Sequence, residues 1–161
     1  MLLKIKLNLK TFLFAVALLL WGTSLSAQAQ TFPANSSWNT KEPWKKSQLL
    51  QPSDLASLLN NPKAKKPIIF NIGVMEDIKG ARKMGATTEK ENLERFKKAL
   101  KTLPKTSFIV VYCGCCPFDK CPNIRPAITA LNQMGFSNAR LLNLPFNIKV
   151  DWKDKGYPIA P

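Results

Sequence analysis

Four cysteines make up the whole thiol complement of this chain, and Cys113, Cys115, Cys116 and Cys121 fall within one short segment, Tyr112-Cys-Gly-Cys-Cys-Pro-Phe-Asp-Lys-Cys-Pro122. Thiols this close in sequence admit several chemistries. In an oxidising compartment they can pair as disulfides, and four thiols allow three pairings. Cys113 and Cys116 have the Cys-x-x-Cys spacing of redox pairs, whereas joining Cys115 or Cys116 to Cys121 would staple the loop and leave Cys113 free. Ionised together, the four could chelate a soft ion such as Cu(I) or zinc. The chain has no histidine. That excludes a cysteine–histidine hydrolase and a Cys-x-x-Cys-His haem attachment.

The elements around this segment must bring it to an edge where chemistry can occur. Phe108-Ile-Val-Val-Tyr112 is apolar throughout and β-branched at its centre. That pattern belongs to a strand buried on both faces of a parallel sheet, and such sheets place ligands at the carboxyl ends of their strands. Upstream, Ser47–Gln51 reads as a short strand, and Ser53 as the cap of a helix carrying Leu55, Leu58 and Leu59 that Asn60-Asn61-Pro62 ends. Pro67-Ile-Ile-Phe-Asn-Ile72 is a second buried strand, followed by a long connection through Gly73, Gly80 and Gly85. Thr88-Glu-Lys-Glu91 has capping-box spacing, and Leu93, Phe96, Leu100 and Leu103 then share one helical face until Pro104. After the cysteines, Asn123 is placed to cap a helix bearing Ala127, Ala130, Leu131 and Met134, which Gly135 closes before a strand at Ala139–Leu144. The alternation predicts an α/β fold, with a central parallel sheet of about five strands and helices on both faces.

The amino-terminal residues have a different character. Lys4, Lys6 and Lys10 precede an apolar run from Thr11 to Gly22, and Ala27-Gln-Ala29 follows. This is the layout of a cleavable signal peptide over residues 1–29, so a periplasmic or secreted location is expected. The run is well short of the roughly 20 residues a permanent span needs. Residues 30–46 read as a polar linker strapped onto the domain by Trp38 and Trp44, and residues 47–161 as the domain itself. The net charge is +14. It suits small anions or an anionic envelope surface, or simply a well-solvated exterior, and its scattered lysines do not form the aromatic-interleaved stripe of a nucleic-acid binder.

Four stretches in order, between about Ser47 and Pro158, resemble the rhodanese domain, a family of sulfurtransferases and sulfur carriers. Pro67–Ile72 looks like the family's second strand, Ile78-Lys-Gly-Ala81 like its Ile-Pro-Gly-Ala turn, and Phe108–Cys113 like its strand ending in the catalytic cysteine. Met134-Gly-Phe136, Trp152 and Gly156-Tyr-Pro158 look like its closing pattern. The chain departs from the family at Asn71, where many members carry Asp, at Asp77, where many carry His, and at Leu144-Pro-Phe146, where a Gly-Gly pair is common. The position five after the cysteine is Phe118 rather than Arg, so the loop is longer than the family's.

The resemblance implies that Cys113 is a nucleophile that carries sulfur as a Cys-S-S persulfide, with a thiophilic acceptor taking it onward. It implies that Arg125 and Lys120 attract an anionic donor such as thiosulfate. Cys115, Cys116 and Cys121 are redox or disulfide candidates, and neither a cofactor nor a resident metal is expected. Two alternatives stay open: a thiol-disulfide oxidoreductase using Cys113 and Cys116, and a non-enzymatic thiolate metal-binding or interaction domain. Trp152 and Tyr157 are expected to pack the closing loop, and Met75 and Met84 to be buried. The lysines of 63–66 and 97–98 are expected to be solvated. Asn71 is expected to orient a loop.

Overall fold

The computed structural model of the chain describes residues 42–161. The expected signal peptide and most of the linker lie outside the described residues. Five strands are present: β1 (Leu49–Leu50), β2 (Ile68–Asn71), β3 (Ala81–Lys83), β4 (Ile109–Tyr112) and β5 (Ala139–Leu142). All pair in parallel in the order β1-β5-β4-β2-β3. The cysteine-bearing strand β4 is therefore the central one.

Four helices cover the sheet: α1 (Pro52–Asn60), α2 (Lys90–Lys101), α3 (Ile124–Gln133) and the short α4 (Ile148–Asp151). Strand alternation decides what each face buries. From β2 and β4, Phe70, Ile72, Ile109, Val111 and Cys113 share one core cluster with Phe96 and Leu100 of α2 and Ile124, Ile128 and Leu131 of α3. Phe70 and Phe96 meet edge-to-face there, with centroids 5.2 Å apart. On the other face, Ile69, Val110 and Tyr112 pack with Leu55 of α1, Ile148 of α4 and Trp152. Because Cys113 continues the parity of Ile109 and Val111, its side chain is directed toward α2 and α3, not toward α1.

The structure bears out the α/β fold and departs from expectation locally. Ala81–Lys83 forms an edge strand inside what reads as a long connection. Neither Ser53 nor Thr88 caps a helix: α1 starts at Pro52 after Gln51, and Glu89 occupies the position before α2, with no side-chain cap at either. Trp152 is fully buried, stacks edge-on with Tyr157 at 5.1 Å and donates its indole N–H to Pro158 O at 3.0 Å. Met84 is buried as expected, but Met75 is exposed. Lys66 is exposed but not idle. Its ammonium donates to the carbonyls of Leu58, Leu59 and Asn61, satisfying groups that the end of α1 leaves without partners.

Candidate functional site

Strand β4 ends at Tyr112, and the next eleven residues loop over the carboxyl edge of the sheet before α3 begins. Cys113 is the first of them and is almost wholly buried, with 2% of its surface exposed. Gly114 follows with φ of +83°, a left-handed conformation in which side chains are strained. A Cβ at Gly114 would also lie 2.9 Å from Ile148 Cβ. This turn sends Cys115 to the surface, with its sulfur 3.3 Å from that of Cys113.

The thiols gather into one cluster, and all four are free. The Cys115 sulfur lies 3.3 Å from that of Cys113, 3.2 Å from that of Cys116 and 3.9 Å from that of Cys121. The sulfurs of Cys113, Cys115 and Cys121 all lie within 4.8 Å of one another. Cys116 stands outside that triangle and meets it through Cys115. Cys113 is covered, and the thiol that meets it at 3.3 Å is Cys115, not the Cys116 of the Cys-x-x-Cys spacing. The turn at Gly114 folds the sequence neighbour back onto it.

A network of amides holds Cys113 from the other side. Asn123 Nδ2 donates to Cys113 Sγ at 3.2 Å. The amide is fixed in that orientation because its Oδ1 accepts from both the backbone N–H and the hydroxyl of Thr88, at 3.1 and 3.0 Å. Thr87 donates its hydroxyl to Asn123 O at 2.6 Å. The residue expected to cap α3 is instead turned toward the thiol, and the threonine expected to begin a capping box for α2 turns to support it. Sequence reasoning missed Thr87 and Thr88 as site residues, since a pairing across 35 positions leaves no local signal.

Asn71, fully buried at the end of β2, shapes the opposite wall. Its Nδ2 donates to Met75 O and Asp77 Oδ1, both at 2.8 Å, and its Oδ1 accepts from Gly73 N–H at 3.0 Å. Asn71 therefore orients a loop, as expected. The Gly73 it holds lies against Cys113, where a Cβ would come 2.5 Å from Sγ and 2.7 Å from the carbonyl oxygen. The two departures Asn71 and Asp77 bond each other.

These contacts set the charge of the cluster. The Cys121 thiol, followed by the Asn123 amide and the Cys115 thiol, holds the Cys113 thiol far below its ordinary range, at about 5, against the opposing effect of burial. Cys115 is pushed up to about 12, first by desolvation and then by its bonds to Cys116 and Cys113. Cys115 is exposed as a residue, yet its sulfur is crowded by three others. Cys121 is raised as well, first by bonding to the Cys113 sulfur and then by burial. Of the three thiols in the triangle, Cys113 therefore gives up its proton most readily, and the other two are held protonated.

The expected anion-binding cations stand to one side. Arg125 Nη2 donates to Asp119 O at 3.1 Å, and its guanidinium lies over the Trp44 ring at 5.5 Å. Lys120 is paired with Asp119 at 3.6 Å, with 78% of its side chain exposed. Neither hydrogen-bonds the Cys113 sulfur. Trp44 is buried and also packs on Phe118 at 6.0 Å, which ties residue 44 to the cysteine loop; Trp38 lies outside the described residues. A cleft runs between the segment 42–48 and the turn after α3, lined by Arg140 and Phe136, and the thiols do not line it.

No family model matches the sequence, and no curated protein matches it. Among solved structures the chain is similar to EanB. The wild-type structure, a cysteine-to-serine variant with hercynine and a threonine-to-alanine variant with hercynine each align with a TM-score of 0.50 and 19% identity. Each alignment covers 70% of this chain and 27% of EanB, so this chain corresponds to a minor part of that protein's length. The likeness is one of fold.

Proposed function

We propose that this protein is an exported, rhodanese-like sulfurtransferase or sulfur carrier that takes a sulfane sulfur from a small anionic donor such as thiosulfate onto Cys113. The observation that carries the reading is the Asn123 amide, locked by Thr88 and aimed at a buried sulfur at the end of the central strand. A thiolate stabilised in this way is a nucleophile at neutral pH without a general base. In the transfer, Cys113 Sγ attacks the outer sulfur of thiosulfate. A new S–S bond forms, the S–S bond of thiosulfate breaks, and sulfite leaves with its electron pair. Arg125 and Lys120 attract the donor through their charge at the loop rather than by bonding the sulfur. Reduced protein mixed with thiosulfate is expected to liberate sulfite in an amount matching the protein, and Cys113→Ser to liberate none. A wild-type protein that releases no sulfite ends this reading.

One observation favours a second reading: three thiols within 4.8 Å of one another, one of them ionised, form a donor set for a soft ion. Metal analysis of protein purified without chelators tests it. Metal-free protein whose cysteines pair as disulfides counts against a native metal role.

A further inference from the structure

Loading sulfur onto Cys113 gives Cys115 no covalent role, yet its sulfur lies 3.3 Å from that of Cys113. We infer that Cys115 is a resolving cysteine, which attacks the Cys113 persulfide from within and releases its outer sulfur as sulfide, so that the site reduces sulfane sulfur instead of handing it on. The inference rests on the persulfide reading above and adds the fate of the sulfur.

Three features carry it. The two sulfurs are 3.3 Å apart, so only a small movement separates van der Waals contact from a bond. Cys113 is 2% exposed, a burial that screens a persulfide there from bulky external acceptors while leaving it within reach of the Cys115 thiol. Cys115 is exposed and follows the Gly114 turn, so a bridge between the two would present one sulfur to an outside reductant.

The step balances without any further reagent. Cys115 Sγ attacks Cys113 Sγ, the Cys113–Cys115 disulfide forms, and the persulfide S–S bond breaks with its electron pair on the outer sulfur. The Cys115 proton leaves with that sulfur as hydrosulfide. Two thiols are oxidised to a disulfide, and one sulfane sulfur is reduced to sulfide. A second turnover then requires an external dithiol, which opens the bridge by attack at the sulfur of Cys115, the more exposed of the two residues.

The test is a single turnover of the full, reduced protein with thiosulfate and no added thiol. The wild type is expected to release about one sulfide per chain and to form a Cys113–Cys115 bridge on peptide mapping, whereas Cys115→Ser releases less than about a tenth of that. The variant should instead retain the extra sulfur on Cys113, which cyanide removes as thiocyanate. If wild type keeps its persulfide and releases sulfite but no sulfide, the resolving role is wrong and the carrier reading stands. Sulfide release that survives in Cys115→Ser overturns the resolving role in the same way. If neither protein releases sulfite nor gains sulfur, the carrier reading fails and takes this inference with it.

Discussion

Asn123 shows how one side chain decides the state of another. Its amide has two donors and an acceptor, and Thr88 occupies the acceptor, so a donor must face Cys113. Asn123→Ala removes that donor, and the Cys113 titration, followed by thiolate absorbance, is expected to rise by about one pH unit. An unchanged titration would show that the neighbouring thiols alone hold the charge. Stability should follow the same proton. Because the Cys113 thiol lies at about 5 in the folded chain against 9.0 for the free group, the unfolded chain binds more protons between these values, and stability rises with pH across that window. Cys115 has the opposite sign: its raised folded value, about 12, makes stability fall as pH climbs above 9.0. Chemical denaturation of reduced protein across pH, with Cys113→Ser as control, checks both; a rise between pH 5 and 9 that persists in the variant contradicts the assignment. At this scale the sequence was half legible. Clustered cysteines announce sulfur chemistry, but Thr88 and Asn123 carry the local signature of helix caps, and only the fold brings them together. A tertiary hydrogen bond to a charged sulfur won over two local caps.

Among the elements, those buried on both faces were the readable ones. Every residue of β4 is buried, and its unbroken apolar run states as much. Strand β3 has the sequence Ala-Arg-Lys, lies at the sheet edge and exposes Arg82 and Lys83, so it lacks any apolar pattern by which to be found. Charged residues on an edge strand also discourage pairing with other chains. Where β2 and β4 end side by side, their loops touch at Gly73 and Cys113. Gly73→Ala would drive a methyl group into backbone as well as sulfur, so the loops must part. We expect a loss of about 1–3 kcal/mol in denaturant unfolding, together with slower sulfite release. A variant with the wild-type midpoint and rate would show that the two loops yield easily.

For the molecule as a whole, charge and the linker matter most. With a net charge of +14, encounter with a dianion should be steered and salt-sensitive. Thiosulfate-dependent sulfite release is expected to slow several-fold between low and physiological ionic strength, while reaction with a neutral alkylating agent stays nearly constant. Equal salt dependence for the two reagents would remove the electrostatic argument. Trp44 joins the incoming chain to the sulfur loop, and Trp44→Ala should cost about 2–4 kcal/mol in unfolding free energy. An undiminished unfolding free energy would mean that the ring covers the loop without supporting it. The same indole is braced by Phe118 of the loop that carries the thiols and by Arg125 in the first turn of α3. A pull on the chain at residue 44 is therefore met at the thiol loop by Phe118 and on α3 by Arg125 and by Asn132, whose amide donates to Pro43 O at 2.6 Å, so strain entering there is shared between the sulfur loop and the helix behind it.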